Sequence, residues 1–536
     1  MPKDQTSNLK TKEAKISFYF WILIAILALG SKIFFIYYTY WHRHYLVPPG
    51  GDVIEHYQII QRIIQTKTIS FINYPEGFHL LVIAIAKIFH QGVWGVLTNW
   101  TPVLIILPAI TMFFLLRQLF SLRVSVIASA VLLLASNYPL YAFVDGNYPD
   151  MFAYGCFAVL LFAFLIRYFK TNKLINLLWA GIFLVLIALT HNFTFFNVFA
   201  ILLIFGLWQL FLKIFRAKIS LLKKIYLSFG SIILLLAISY VIISKIYGGM
   251  ILPYLSSLIT DTPTKNSLIH LWAVAPNYSD YPGMAGDLVW YLGLAGFFYV
   301  LLTSFTDKKD AKFKPLLIIW LLFFYLMSRF QAANFLPRFA RELALPLTVF
   351  MAYLFDYLIE KNLNRNRLGQ ILAFGLIGYL VIINSSLYTG LDQIPDTLGQ
   401  HIFYSQLDQD KINWMAANIP QQTPILYNPW GNWFFPVRTE NTVTPLALKP
   451  DQISIVNQYL ANKNNPLAQT QYNALVREEE NQFSDIEYIF DDMPPVNMDP
   501  SWYHDYTQDK TVLQSIETNY RLIKTFQDGA TIYQKQ

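Results

Sequence analysis

Apolar runs of about 20 residues recur through the first 389 residues of this chain, each long enough to cross a hydrocarbon core roughly 30 Å thick. Lipid offers no water to satisfy backbone amides, so runs of this kind must form helices. The expected spans are Phe18–Tyr38, Asn99–Leu116, Val124–Leu140, Met151–Ile166, Leu174–Thr190, Phe195–Leu212, Ile225–Ile246, Gly286–Ser304, Pro315–Met327, Phe339–Leu358 and Gly369–Leu387. They predict an α-helical polytopic membrane protein of about 11 transmembrane helices. Composition agrees: 55% of residues are hydrophobic and 14% charged, where a soluble chain would carry about a quarter charged residues. Residues 1–17 are polar and basic, and no small-residue cleavage site follows Phe18–Tyr38, which therefore reads as a retained span. Gly77–Phe89 is apolar but short, and is expected to lie in or dip into the interface. The single Cys156 excludes an intramolecular disulfide and reads as packing.

Lys and Arg orient the bundle. With the N-terminus cytoplasmic and eleven crossings, short cytoplasmic segments receive 21 of them, from Lys3 to Arg367. The opposite side, before the tail, receives only Arg43, Arg62, Lys67, Lys87, Lys265, Arg329, Arg338 and Arg341. Counting Gly77–Phe89 as a further span would invert every later loop and erase the asymmetry. This orientation sends outer loops 39–98, 141–150, 248–285 and 328–341 to one extracytoplasmic face, together with residues 390–536.

That tail is acidic, with nine Lys and Arg against eighteen Asp and Glu, whereas the remainder carries 31 against 15. The basic pI near 9.0 thus belongs to the membrane part and does not mark a nucleic-acid binder. Helix-like stretches occur at Phe403–Asn418 and Pro466–Phe483, and strand-like runs at Pro424–Tyr427 and Ile486–Phe490. Arg521–Phe526 and Thr531–Tyr533 flank an Asp528-Gly529 turn, a hairpin signal. A small extracytoplasmic α/β domain is expected.

Ionisable groups at a membrane surface are costly, and the first outer loop concentrates them. Pro48-Pro49-Gly50-Gly51 breaks the first span; Asp52, Glu55 and His56 follow, on one face if Asp52 starts a helix. Asp52 and Glu55 also resemble a capping box. An acid there can act as general base toward a hydroxyl, or as a metal ligand with Glu55, His56 and His79. No fixed metal-ligand spacing is present, so a divalent metal stays open. Tyr74-Pro75-Glu76-Gly77-Phe78-His79 begins the interfacial helix, with Pro75 suited to its first position and Glu76 to the positive end of its dipole. Tyr74 and Phe78 also suit aromatic anchoring.

In the second outer loop, Asp145 and Tyr148 suit an acceptor cleft, while Asp145 and Asp150 equally suit turn formation and capping. His191 and Asn192 read as hydrogen-bonding within the bundle. Arg329, Arg338 and Arg341 cluster at the same face, where Arg suits bidentate phosphate contact; snorkelling, or pairing with Glu342, explains them as well. Loop Gly248–Ala285 mixes aromatic and acidic residues that suit a sugar. In the tail, Trp430 with Trp433, and Arg438 after them, suit carbohydrate stacking or docking of the domain. No Gly-rich nucleotide-phosphate motif occurs, so no nucleotide cofactor is expected.

Taken together, these segments resemble the GT-C superfamily of polytopic glycosyltransferases, which use polyprenyl-phosphate-linked sugars. The likeness rests on the Asp52 loop, the Tyr74–His79 motif, the turn from Arg117 to Arg123, and the loop from Phe143 to Asp150. Thr190-His191-Asn192, Met415–Pro420, Ile425–Gly431 and the hairpin from Tyr520 to Tyr533 extend it into a soluble domain like that of bacterial members. The family's first loop often has paired acids; here the second is Glu55. The resemblance implies inverting transfer, with Asp52 deprotonating an acceptor hydroxyl while lipid phosphate departs. It implies a hexosyl- or pentosyltransferase of the cell envelope, whose partners are a polyprenyl-phosphate-linked sugar, the bilayer and a glycan, lipid or protein acceptor. A lipid-linked glycan transporter or flippase, and a non-catalytic membrane scaffold, are the alternatives. The first would need ionisable residues deep in the spans, where only Lys32 and Lys245 qualify, both near span ends; the second leaves the first-loop acids unexplained.

Overall fold

The computed structural model describes residues 3–43, 52–69, 75–216, 278–304, 312–329, 336–362, 375, 378–379, 406–421, 423–427, 442–445, 448–492 and 510–536. It divides into two compact units. One contains Met1–Thr39, Arg62–Phe143 and Asn147–Gln393; the other contains Tyr40–Gln61, Val144–Gly146 and Ile394–Gln536.

The first unit is helical. In chain order, the elements to Arg216 are α1 (Lys3–Arg43), α2 (Asp52–Thr66, of which residues up to Gln61 count with the second unit), α3 (Gly77–Ile88), α4 (Val93–Trp100), α5 (Leu107–Leu116), α6 (Leu122–Ala135), α7 (Tyr138–Val144), α8 (Tyr148–Phe152), α9 (Val159–Thr171), α10 (Leu174–Thr190) and α11 (Asn192–Arg216). Helices Asp287–Ser304, Lys314–Met327, Leu336–Glu342 and Ala344–Phe355 follow. Among the described residues, five stretches are long and apolar enough to cross a membrane: Phe18–Tyr38, Val93–Leu116, Tyr148–Thr171, Asn192–Phe215 and Pro337–Ile359. Shorter apolar helices, among them Gly77–Ile88 and Leu174–Thr190, accompany them. The expected span Ile225–Ile246 lies outside the described residues, as does Gly369–Leu387 apart from Gly375, Gly378 and Tyr379.

Two breaks in the helices have local causes. The run expected to continue from Val124 to Leu140 stops at Ala135, because Pro139 has no N–H to bond the carbonyl four residues back. Ser136 takes over, accepting from the Tyr138 amide at 3.3 Å and donating to the Ala285 carbonyl at 2.9 Å. Between α8 and α9 the backbone forms a π turn, Ala153–Ala158. Such a turn frees a carbonyl, and the buried Thr111 hydroxyl donates to that of Gly155 at 2.7 Å.

The second unit contains a five-stranded sheet of order β2-β1-β3-β5-β4. Its strands are β1 (Pro424–Tyr427), β2 (Thr442–Pro445), β3 (Tyr488–Asp491), β4 (Tyr520–Thr525) and β5 (Thr531–Lys535). β1 runs parallel to β2 and β3, while β5 is antiparallel to β3 and β4. Helices Pro450–Ala461 and Pro466–Gln482 and residues 510–516 pack an apolar core that includes Leu426, Val456, Leu475, Ile489 and Leu513. Buried Lys411 is held by Asp492 at 2.7 Å and by Asp528. The sequence reading anticipated β1, β3, the closing hairpin and two helices, but neither β2 nor Pro450–Ala461. Strand β2 is only four residues long and ends in proline. The helix carries a β-branched Ile-Ser-Ile-Val run, although Pro450 in its first turn signals a helix start.

Candidate functional site

Asp52 is the first residue of α2, and Glu55 shares its first turn. Asp52 is half-buried, whereas Glu55 is exposed. The acid therefore stands inside the helix and not at the cap that a capping box would require. One turn further, the buried His56 side chain reaches the Gly146 carbonyl at 2.8 Å. Asp145, half-buried, immediately precedes that glycine. These contacts lie within the second unit, which takes in Tyr40–Gln61 and Val144–Gly146 along with the tail.

The first unit gathers a second constellation where several helices end. Asp150 lies in α8, His191 caps α10, Thr194 begins α11, and Arg338 and Glu342 sit one turn apart on Leu336–Glu342. Asp150 Oδ1 accepts from the Thr194 hydroxyl at 2.5 Å and stands 3.2 Å from Arg338 Nη2 and 3.3 Å from His191 Nδ1. Arg338 Nε donates to Glu342 Oε1 at 3.2 Å, and its Nη2 donates to His191 Nε2 at 3.3 Å. A guanidinium has only donors, so His191 Nε2 accepts, while Nδ1 stands 2.8 Å from Thr194 Oγ1 and 3.3 Å from the Thr194 amide nitrogen. Phe193 supports the Arg338 guanidinium from 5.0 Å. The Tyr154 hydroxyl, turned by the π segment, donates to the Glu342 carbonyl at 3.1 Å and accepts from the Trp320 indole at 3.0 Å. One partly buried cation is thus clamped by two buried carboxylates, and the helices carrying them are pinned from behind.

The motif at the start of α3 meets this end of the bundle. Glu76 precedes α3 as its N-cap and Gly77 is its first residue, two positions later than Pro75, the start expected from sequence. The Gly77 backbone lies so close to the end of α10 that a Cβ would stand 2.5 Å from the Leu189 carbonyl oxygen. Buried Glu76 is salt-bridged to Arg62 of α2. His79 is buried on α3, and buried Tyr148 packs against Phe143 and Phe78 at centroid distances of 5.3 and 6.2 Å. Arg341 is buried on the same helix as Arg338 and Glu342, and Arg329 lies over the Tyr278 ring at 4.1 Å.

Of the residues singled out from sequence, Tyr74, Trp430 and Arg438 lie outside the described residues, as does most of loop Gly248–Ala285. Arg338 is drawn into the cluster together with Asp150, His191, Thr194 and Glu342. Sequence reasoning had given Asp150 and His191 structural roles and had not noticed Thr194. The available signal was polar residues at three separate breaks between apolar runs, visible one by one but not as a set. Among the described residues no group of three or more His, Cys, Asp or Glu side chains is arranged to hold a metal ion.

No protein-family model matches this chain, and no curated protein does either. Solved structures do. An Archaeoglobus fulgidus oligosaccharyltransferase in complex with Zn and sulfate superimposes with a TM-score of 0.58 at 14% identity, over 96% of this chain and 73% of that one. The archaeal oligosaccharyltransferase AglB from Archaeoglobus fulgidus, in complex with an inhibitory peptide and a dolichol-phosphate, gives 0.59 at 13% identity, over 97% and 74%. ArnT from Cupriavidus metallidurans in the apo state gives 0.51 at 12% identity, over 97% and 98%. Identities this low speak to fold alone, and this chain has the fold that the archaeal oligosaccharyltransferase and ArnT share with it.

Proposed function

We propose that this chain is a multi-pass membrane glycosyltransferase that moves a hexosyl or pentosyl group from a polyprenyl-phosphate donor to an extracytoplasmic glycan, lipid or protein acceptor. The observation that carries the reading is the buried cluster of Arg338, Asp150, His191 and Glu342 at one end of the helices. It occurs in a fold whose neighbours include one solved with dolichol-phosphate. Ionisable groups inside a membrane bundle mark a functional site by default, and a guanidinium fixed by carboxylates presents pre-oriented N–H donors to a phosphate oxygen. Arg338 and Arg341 are the phosphate-holding residues of this reading. Tyr148, His79, Glu76 and Asp145 are the further substrate-binding candidates of this reading. The Lys and Arg asymmetry supports a cytoplasmic N-terminus and an extracytoplasmic tail.

In the transfer step the acceptor hydroxyl passes its proton to the Asp52 carboxylate as its oxygen bonds the anomeric carbon. The bond from that carbon to the phosphate oxygen breaks, and polyprenyl phosphate leaves with the electron pair. Attack opposite the leaving group inverts the anomeric centre. Asp52 acts as a Brønsted base, a role worth about 10²–10⁴-fold in rate. One neighbour structure contains Zn, but the described residues here do not assemble a three-ligand site, and no step is assigned to a metal. Asp52→Asn is expected to lower transfer from a synthetic polyprenyl-phosphate sugar by about 10² or more, with expression and thermal unfolding as in the parent. Full transfer by that variant would remove Asp52 from the reaction.

A further inference from the structure

The turn that carries Asp52 is gripped by a backbone segment from far along the chain. Gly146 adopts φ +79°, a conformation that side chains rarely take. A Cβ at this position would stand 3.1 Å from Asp52 Cβ and 3.2 Å from the Val53 amide nitrogen. The glycine backbone therefore lies directly on the first turn of α2, and only glycine allows that approach. The Gly146 carbonyl is met at 2.8 Å by Nε2 of His56, which is 4% exposed. A carbonyl only accepts, so Nε2 carries the proton and donates. His56 follows Asp52 by four residues, which puts the two side chains on one helical face.

We propose that His56 and Gly146 form a clasp that sets the position of Asp52, with His56 acting as a positioning residue and not as a group that touches substrate. The assignment rests on the reading of Asp52 as the base. The first amides of a helix have no intrahelical partner, and helix ends open more readily than helix centres. An acid at the first position of α2 is therefore held only as well as its surroundings hold that turn. The clasp supplies the hold from two sides: close backbone contact at Asp52 and Val53, and a buried N–H···O=C bond one turn later. A displacement of about 1 Å at a reacting group costs on the order of 10²-fold in rate, so a positioning bond of this kind is read out in kcat.

The test compares full-length wild type with His56→Phe, His56→Gln and Gly146→Ala in lipid nanodiscs. His56→Phe keeps the ring and removes the donor; His56→Gln keeps an N–H donor; Gly146→Ala adds the Cβ. For each, kcat and KM are measured with a synthetic polyprenyl-phosphate sugar, alongside amide exchange over residues 52–57. The clasp predicts that His56→Phe lowers kcat by about 10- to 100-fold with donor and acceptor KM unchanged, and speeds exchange in the first turn. Gly146→Ala should behave likewise, and His56→Gln should recover most of the rate and the protection. Wild-type kcat and exchange in His56→Phe would overturn the proposal. A raised KM at unchanged kcat would also overturn it, since it would mean direct substrate contact. Where wild type itself transfers no sugar, the glycosyltransferase reading fails, yet exchange still decides the clasp: faster in His56→Phe supports it, unchanged refutes it.

Discussion

Arg338 acquires its role from residues that are remote in sequence. Its i+4 spacing to Glu342 made one partner visible in the chain. The other partner, Asp150, lies in a different helix at 3.2 Å, and no spacing rule reaches that far. Removing one member of a buried pair strands the other charge in a poorly solvating environment. Asp150→Ala and Arg338→Ala should therefore each cost about 3–5 kcal/mol, and the double variant should lose less than the sum. Unfolding midpoints in detergent check this; strictly additive losses would mean the two side chains do not act as a pair. His191 and Asp150 had simpler local readings, as a bundle hydrogen bond and a turn residue. His191 does bond within the bundle, to Thr194, whereas the Asp150 carboxylate turns to Thr194, His191 and Arg338 and not to a helix cap; the cluster exists only when three helix ends meet.

Among the elements, helix Asp287–Ser304 meets a neighbouring backbone closely through its glycines. A Cβ on Gly296 would lie 2.0 Å from the Phe350 carbonyl oxygen, and one on Gly293 would lie 2.7 Å from Leu347 Cβ. Helices in lipid gain little from hydrophobic burial against one another, so close backbone contact through small residues supplies much of their attraction. Gly296→Ala must push Ala344–Phe355 away, and that helix directly follows the one bearing Arg338 and Glu342. It should reduce the yield of folded protein and lower the unfolding midpoint. Gly181→Ala is the control, because no atom lies within 4 Å of its added Cβ; equal midpoints for the two variants would refute the packing argument. The π turn before α9 belongs to the same scale. It aims Tyr154 at the Glu342 carbonyl, a consequence that an apolar run of regular helical period does not announce.

At the scale of the whole molecule, the apolar unit and the acidic tail obey different physics. The tail carries the sheet, and its stability depends on ordinary titration. Burial, and after it the nearby Asp491 carboxylate, push the Glu517 carboxyl up to about 7. The folded domain thus keeps a proton that the unfolded chain has already released. This contribution to stability is fully present below the ordinary glutamate range and is lost as pH rises through about 7. Between pH 5 and pH 8 the domain should lose about 1–3 kcal/mol through this group. Glu517→Gln should flatten that dependence, as followed by protease cleavage of the tail in the full-length protein under rising denaturant. An unaltered pH slope in the variant would place the effect elsewhere.

The sequence by itself determined that the chain is helical and built for lipid, since long apolar runs admit no other backbone solution. It also marked the separate acidic tail, most of that tail's described strands, and the polar loops worth attention. These are local properties: length, period, charge and turn residues act within about 20 residues. Tertiary structure decided the rest. It alone placed Gly146 on the turn of Asp52 and turned His56 to the Gly146 carbonyl. It alone drew Asp150, His191, Thr194, Arg338 and Glu342 into one cluster. Each of those contacts depends on where a helix ends and how its neighbour packs, and residues so far apart share no pattern along the chain. Burial then makes the arrangement energetically binding, because polar groups removed from water must find partners in one another.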